Sequence, residues 1–438
     1  MQSAVSPWRV CFASLILIPF GFKKARFLVF VVAILVGATA MSIRQASLEN
    51  SEITKHFDSQ LDFTAQVITD PSQTSTGNYS FTARLLSFEI DEKLFSLRVP
   101  IRIISKQELE LLPGQTVSAT ARVVQTKESR VAALLLVDED FEVLTPPSRW
   151  AAALGAIRTG LRTHSGDGDA GALIPGMVLG DTSKQTAEFK DQMKRSGLTH
   201  LVAVSGANFA IVSSFVLWCM QFVIRRKNYR IIATAIALAC FIALVRPSPS
   251  VLRAAAMAAV LLSAQVTKRK TDSLPALGFA IAAVVIGDPW QSRDAGFALS
   301  VLATAGLLLF APVIENHLPT HKKLAGALAP PIAATVFCAP ILVALSGYLS
   351  PMSIFANLLA APFVAPITIV GFIAALVSPV APALTSLLVL IIRVPAGLIV
   401  AIAHWSSGFP VLTIHNGTIG FLIVAVVSAI TTTARTIS

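Results

Sequence analysis

The sequence predicts a mainly α-helical polytopic integral membrane protein of about 9–11 spans, with an all-β, OB-like extracytoplasmic domain inserted near its N-terminus. Composition is the first ground: of 438 residues, 54% are hydrophobic and 13% charged, with a mean hydropathy of +0.70. A soluble domain carries about twice that charged fraction, so lipid is the main solvent for this chain. Apolar runs separated by short basic loops are the second ground. The third is one long interruption, residues 44–148, where charges are dense and apolar positions alternate. The chain therefore divides into a transmembrane hairpin over 1–43, the β domain over 44–148, amphipathic and interfacial helices over 149–196, and a transmembrane domain over 197–438.

Apolar runs mark eleven candidate spans, near residues 8–22, 26–43, 201–224, 231–245, 251–266, 274–287, 296–315, 324–346, 353–378, 381–403 and 415–433. Some are shorter than the roughly 20 residues that cross about 30 Å of hydrocarbon, so re-entrant or broken helices are expected among them. With the N-terminus outside, Lys23, Lys24 and Arg26 fall on one side together with Arg225, Arg226, Lys227 and Arg230, then Lys268, Arg269 and Lys270, then Lys322 and Lys323. Short basic loops mark the cytoplasmic face, which also places the C-terminus, with Arg435, inside. An alternative takes residues 23–40 as a secretory signal ending at Ala38-Thr39-Ala40. Both readings put residue 44 onward outside the cytoplasm. The net charge of +11 belongs to the membrane part, because residues 44–150 hold 11 Lys/Arg against 15 Asp/Glu. Cys11, Cys219, Cys240 and Cys338 all lie in apolar stretches with no CxxC pair, and read as small buried hydrophobes.

In the β domain, alternation over 61–69, 79–90, 94–104, 115–124 and 131–144 predicts five strands, with turn-rich breaks at 70–78, 91–93 and Pro113-Gly114. Five short strands predict a small barrel of OB type. Such barrels often bind single strands or sugars, but an acidic balance and few aromatics leave a structural cap as an equal alternative. After Pro146-Pro147, residues 150–162 space apolar positions with Arg158 and Arg162 opposite, as in an interfacial helix. SGDGDAG, residues 165–171, is a link; it lacks the later ligands and closing Glu of a calcium loop. A charged helix follows, with Asp181, Thr182 or Ser183 as its N-cap, Phe189 and Met193 on its apolar face, and Gly197 as its stop.

The stretch GLTHLVAVSGANFAIV, residues 197–212, then carries His200, Ser205, Gly206 and Asn208 into an apolar run. Polar groups at membrane depth belong against protein or water, not lipid. The sequence carries no P-loop, HExxH, GxSxG or paired-Cys site. No catalytic residue, metal ligand or cofactor is assigned on that basis.

Residues 197–208, GLTHLVAVSGAN, resemble the signature of the ComEC competence family, integral membrane proteins that carry DNA into bacteria. Three further stretches are similar to that family in the same order: PSPSVLRAAAMA (247–258), DPWQSRDAGFALS (288–300) and GYLSPMSIFANLLAAPFV (347–364). Many members have Ser-Gly-Leu-His where this chain has Ser205-Gly206-Ala207-Asn208, so a histidine role is not carried over; Asn keeps hydrogen bonding and loses titration. Larger members append a metallo-β-lactamase-like hydrolase domain, and this chain ends at Ser438. The resemblance implies a bacterial plasma-membrane channel for DNA uptake during natural transformation, with transport and not hydrolysis as its task.

A wet passage for DNA must offer phosphates cationic partners without trapping them. Arg253 and Arg393, both within candidate spans, are the strongest intramembrane charges, and the expected lining is His200, Ser205, Gly206, Asn208, Arg253, Asn357 and Arg393. Asp181, Gly197, Arg293, Asp294 and Gly296 are expected to shape helix starts and turns around it. Expected partners are single-stranded DNA, the lipid bilayer, a cytoplasmic ATP-driven DNA motor and an extracellular DNA receptor, with homo-oligomerisation left open. Two other classes stay in play: a small-solute secondary transporter, and a membrane-embedded hydrolase using Asp181, His200 and Ser205.

Overall fold

A computed structural model describes Gly37 and residues 39–413, apart from Ser75, Glu108, Glu110, Pro247, residues 268–272 and Pro319. The candidate spans at 8–22 and 415–433, and most of 26–43, lie outside the described residues. The chain divides into two compact units, 1–152 with 286–290, and 153–285 with 291–438.

The first unit holds β1 (Gln60–Val67), β2 (Ser72–Gln73), β3 (Tyr79–Ile90), β4 (Lys93–Ser105), β5 (Thr116–Val124), β6 (Leu134–Val137) and β7 (Glu142–Thr145). β1 pairs with β3, β3 with β4, β4 in parallel with β6, β6 with β5, and β5 back with β1. That circuit closes a five-stranded barrel of the OB type and leaves β2 and β7 as short flanking strands. The fifth expected strand divides at the acidic residues 138–140 into β6 and β7. Alternation builds the core: Phe63, Phe81, Phe88, Ile101, Ile103 and Leu135 all point inward and are fully buried.

The second unit is helical: α1 (Arg149–His164), α2 (Gly168–Leu179), α3 (Ala187–Arg195), α4 (Gly206–Val223), α5 (Lys227–Val245), α6 (Pro249–Thr267), α7 (Ser273–Gly287), α8 (Ala295–Leu309), α9 (Ala311–His317), α10 (Lys322–Ser346), α11 (Ser353–Val377) and α12 (Pro382–Ser407). Every candidate span from 201 to 403 coincides with a helix. Five, α4, α5, α10, α11 and α12, are long and apolar enough to cross a bilayer. α8 and α9 meet at a 44° bend, a broken span or a re-entrant loop, and it falls in the full-length candidate 296–315, not in one of the short ones where a break was expected. The protein is a multi-pass membrane protein.

Three expectations for the stretch after the barrel strands are corrected. Residues 168–179, read as link and interfacial helix, form α2, which is buried from Gly171 to Leu179 and packs against α11 and α12. The run ALIPGMVL has no polar face, so it enters the core instead of lying on an interface. Arg158, expected on the polar face of α1, is buried, with Nη1 donating to the carbonyls of Leu179 (2.7 Å) and Leu244 (2.9 Å). Those carbonyls end α2 and α5, where a guanidinium meets the negative helix pole. The N-cap of α3 is Thr186, whose hydroxyl accepts from Phe189 N–H at 3.1 Å. Asp181 instead holds a local turn, accepting from Ser183 N–H (3.1 Å) and Ser183 Oγ (2.6 Å).

Candidate functional site

The site begins where α3 stops. Gly197 takes φ +76°, its N–H reaches Lys194 O (3.1 Å) and Leu198 N–H reaches Met193 O (2.9 Å), a left-handed helix stop. A Cβ on Gly197 would stand 2.3 Å from Ser353 Cβ, so glycine is required twice over, by backbone angle and by space. One 3₁₀ turn, Thr199–Leu201, leads to Ser205, whose extended backbone and Oγ cap α4 by accepting from Asn208 N–H at 3.2 Å. The polar segment is thus a helix break, with the positive pole of α4 at Gly206.

The structure brings the separate stretches of sequence together here. Asn357 on α11 donates through Nδ2 to Ser353 O (2.7 Å) and to Gly197 O (3.4 Å). Arg253 on α6 is 6% exposed; its Nη2 lies 2.6 Å from where a Cβ on Gly206 would be, and its Nη1 donates to Thr304 Oγ1 on α8. Gln185 fastens the break from below through Nε2 to Val202 O at 2.8 Å. His200 is exposed on the 3₁₀ turn between α3 and α4. Desolvation lowers its pKa below the usual imidazole value, against the Gly197 carbonyl, which raises it.

Other expected residues serve elsewhere. Asn208 is 1% exposed and its Nδ2 donates to Met177 O at 3.0 Å, so its side chain fastens α4 to α2 and presents no open amide to a passage. Arg393, on the surface of α12, joins a different set: its Nη2 donates to Asp167 O (3.1 Å), beside Lys184 Nζ on Gly166 O (3.1 Å) and His404 Nε2 with Asp169 Oδ2 (3.2 Å). Asp294 caps α8, accepting from Phe297 N–H at 2.8 Å next to Gly296, and Arg293 is exposed in the preceding turn. Asp181, His200 and Ser205 make no hydrogen bond with one another among the described residues; the Asp181 carboxylate turns to Ser183 and, at 3.8 Å, to Arg162. Thr304, Gln185, Ser353 and Arg158 were not foreseen as partners. Ser353 lies inside one of the four motif stretches, which is the one signal that pointed to it.

A bundle of apolar helices, with one sharply bent helix pair and a polar corner around a broken helix start, defines a multi-pass membrane protein with a site inside its helical unit. A model of the Competence protein family matches residues 177–436, more than half of the chain, and the chain belongs to that family. It is 24% identical over 195 residues to ComE operon protein 3 of Bacillus subtilis (strain 168), covering 44% of this chain and 25% of that relative. The match therefore spans about a quarter of the relative's length. No solved structure matches.

Proposed function

We propose that this chain is a membrane channel that carries DNA, as a single strand, into the cytoplasm of a bacterium during natural transformation. Membership of the Competence protein family supports the process. The observations that carry the reading to residues are two contacts between motif stretches, Asn357 on the Gly197 carbonyl and Arg253 against Gly206, the second a corner whose buried formal charge is cationic. Under the topology set by the basic loops, that corner lies toward the outer face, where an incoming strand first meets the helices. Neighbouring helices pack at about 8–10 Å, which favours a single strand over a duplex as the load.

The chain has no nucleotide-binding loop, so the driving force is assigned to an ATP-driven motor on the cytoplasmic side and delivery to a DNA receptor outside. The reading is transport without cleavage, because Ser205 Oγ is engaged as a helix cap and no carboxylate orients His200 among the described residues. A clean deletion scored for cytoplasmic labelled DNA tests it. Uptake is expected to vanish and return with the wild-type copy; normal uptake in the deletion strain overturns the reading.

A further inference from the structure

The buried guanidinium of Arg253 lacks the counter-charge its surroundings demand. It is 6% exposed, Nη1 reaches only the neutral hydroxyl of Thr304, and Nε has no partner among the described residues. Nor does any carboxylate among them form an ion pair with it. The adjacent helix end adds to the imbalance. Nη2 lies 2.6 Å from the position of a Cβ on Gly206, the first residue of an 18-residue helix whose positive pole points the same way. Asn208 N–H is taken by Ser205 Oγ and Phe209 N–H by Ser205 O, which leaves the Gly206 and Ala207 amides unpaired among the described residues. Two positive groups held together away from water are stabilised by an anion between them.

We propose that this corner is a phosphate subsite, in which one phosphodiester group accepts from the Gly206 and Ala207 amides and from the Arg253 guanidinium. Ala207 is exposed and Gly206 half-buried, so the corner is open on the Ala207 side. Glycine at 206 leaves the ligand and the guanidinium the space a methyl group would fill. One arginine and one helix end hold one phosphate at a time, which suits a strand that must be passed on without being trapped. The source of the phosphate rests on the DNA-channel reading; its chemistry is that of any phosphodiester monoanion, a lipid headgroup included.

The test uses the full chain in phosphatidylcholine nanodiscs, titrated with inorganic phosphate or a short single-stranded oligonucleotide against chloride at matched ionic strength. A ligand that binds the folded state raises the unfolding midpoint saturably. Wild-type protein is expected to show that rise with both probes, with half-saturation moved at least about tenfold upward in Arg253→Gln and in Gly206→Ala. Gly206→Ala keeps the arginine and displaces it, so it decides the matter if Arg253→Gln does not fold. No rise with wild-type protein, or equal titrations in wild type and Gly206→Ala, overturns the subsite. A rise on exchanging phosphatidylcholine for phosphatidylglycerol, with none for the oligonucleotide, overturns DNA as its ligand. Binding as described together with full uptake in Arg253→Gln cells overturns a part for this subsite in DNA passage, while normal uptake in the deletion strain is what overturns the DNA-channel reading.

Discussion

The β unit and the helical unit treat their charges in opposite ways. In the barrel, charges pair with charges in water: Arg102 Nε with Glu128 Oε2 at 3.0 Å, Lys106 with Asp138 at 2.8 Å, Arg122 with Asp58 at 3.1 Å. In the helical unit Arg162 lies 3.8 Å from the Asp181 carboxylate, but three other arginines donate to neutral oxygens: Arg158 to two helix-ending carbonyls, Arg393 to the carbonyl of Asp167, Arg253 to a threonine hydroxyl. A pair exposed to water contributes little and cancels its own charge. A guanidinium bound to backbone dipoles fixes helices in place and keeps its full positive charge. In Arg253 the helical unit keeps a buried cation with no ion pair among the described residues, which a protein that handles a polyanion can use and a mere scaffold has no reason to keep.

That contrast can be broken most directly at Arg158. Arg158→Leu removes one donor shared by two buried carbonyls and is expected to cost about 2–5 kcal/mol, read as a fall in the unfolding midpoint of the solubilised protein; a loss below about 1 kcal/mol would show that water already serves those carbonyls. Gly197→Ala comes next, at about 1–3 kcal/mol, because it strains a left-handed residue and collides with Ser353. A smaller effect is expected from pH. Desolvation by the protein around its ring lowers the folded pKa of His200, so the unfolded chain takes up its proton first. The contribution of His200 to stability is then full above its ordinary value of 6.5 and falls as acidification passes through that value toward the folded pKa, and His200→Gln should flatten this slope. Smallest of all is Arg102→Ala in the barrel, below about 1 kcal/mol and shrinking with added salt, since both partners are partly exposed.

How much of this was legible in the sequence differs between the same two regions. The five barrel strands could be read one by one, because alternation reports one buried face residue by residue; the division at 138–140, the short β2 inside the expected turn 70–78 and the parallel pairing of β4 with β6 needed the fold. The long helices were equally plain from apolar length. α2 was not, since twelve residues containing Pro175 and following a Gly-Asp-Gly link give no helical period and too short a run for a span. Arg158 was placed on a polar face by spacing alone; what buries it are two carbonyls, 21 and 86 residues away, that no local pattern announces. At the site, motif order pointed to Gly197, Gly206, Arg253 and Asn357, which the fold joins as two pairs, Asn357 with Gly197 and Arg253 with Gly206, yet it could not tell an interior anchor from an open group. Asn208 is the case in point, because its amide is taken by Met177 O.

The central claim is that the positive charge of Arg253, held at the start of α4, acts on a passing DNA strand. Its most direct measurement is cytoplasmic labelled DNA in a strain carrying only an Arg253→Glu copy, beside one carrying Arg253→Lys, with both proteins present in the membrane at wild-type level. The account predicts uptake lost with glutamate and partly kept with lysine, which retains the charge but not the fork. Uptake with glutamate equal to wild type would contradict it.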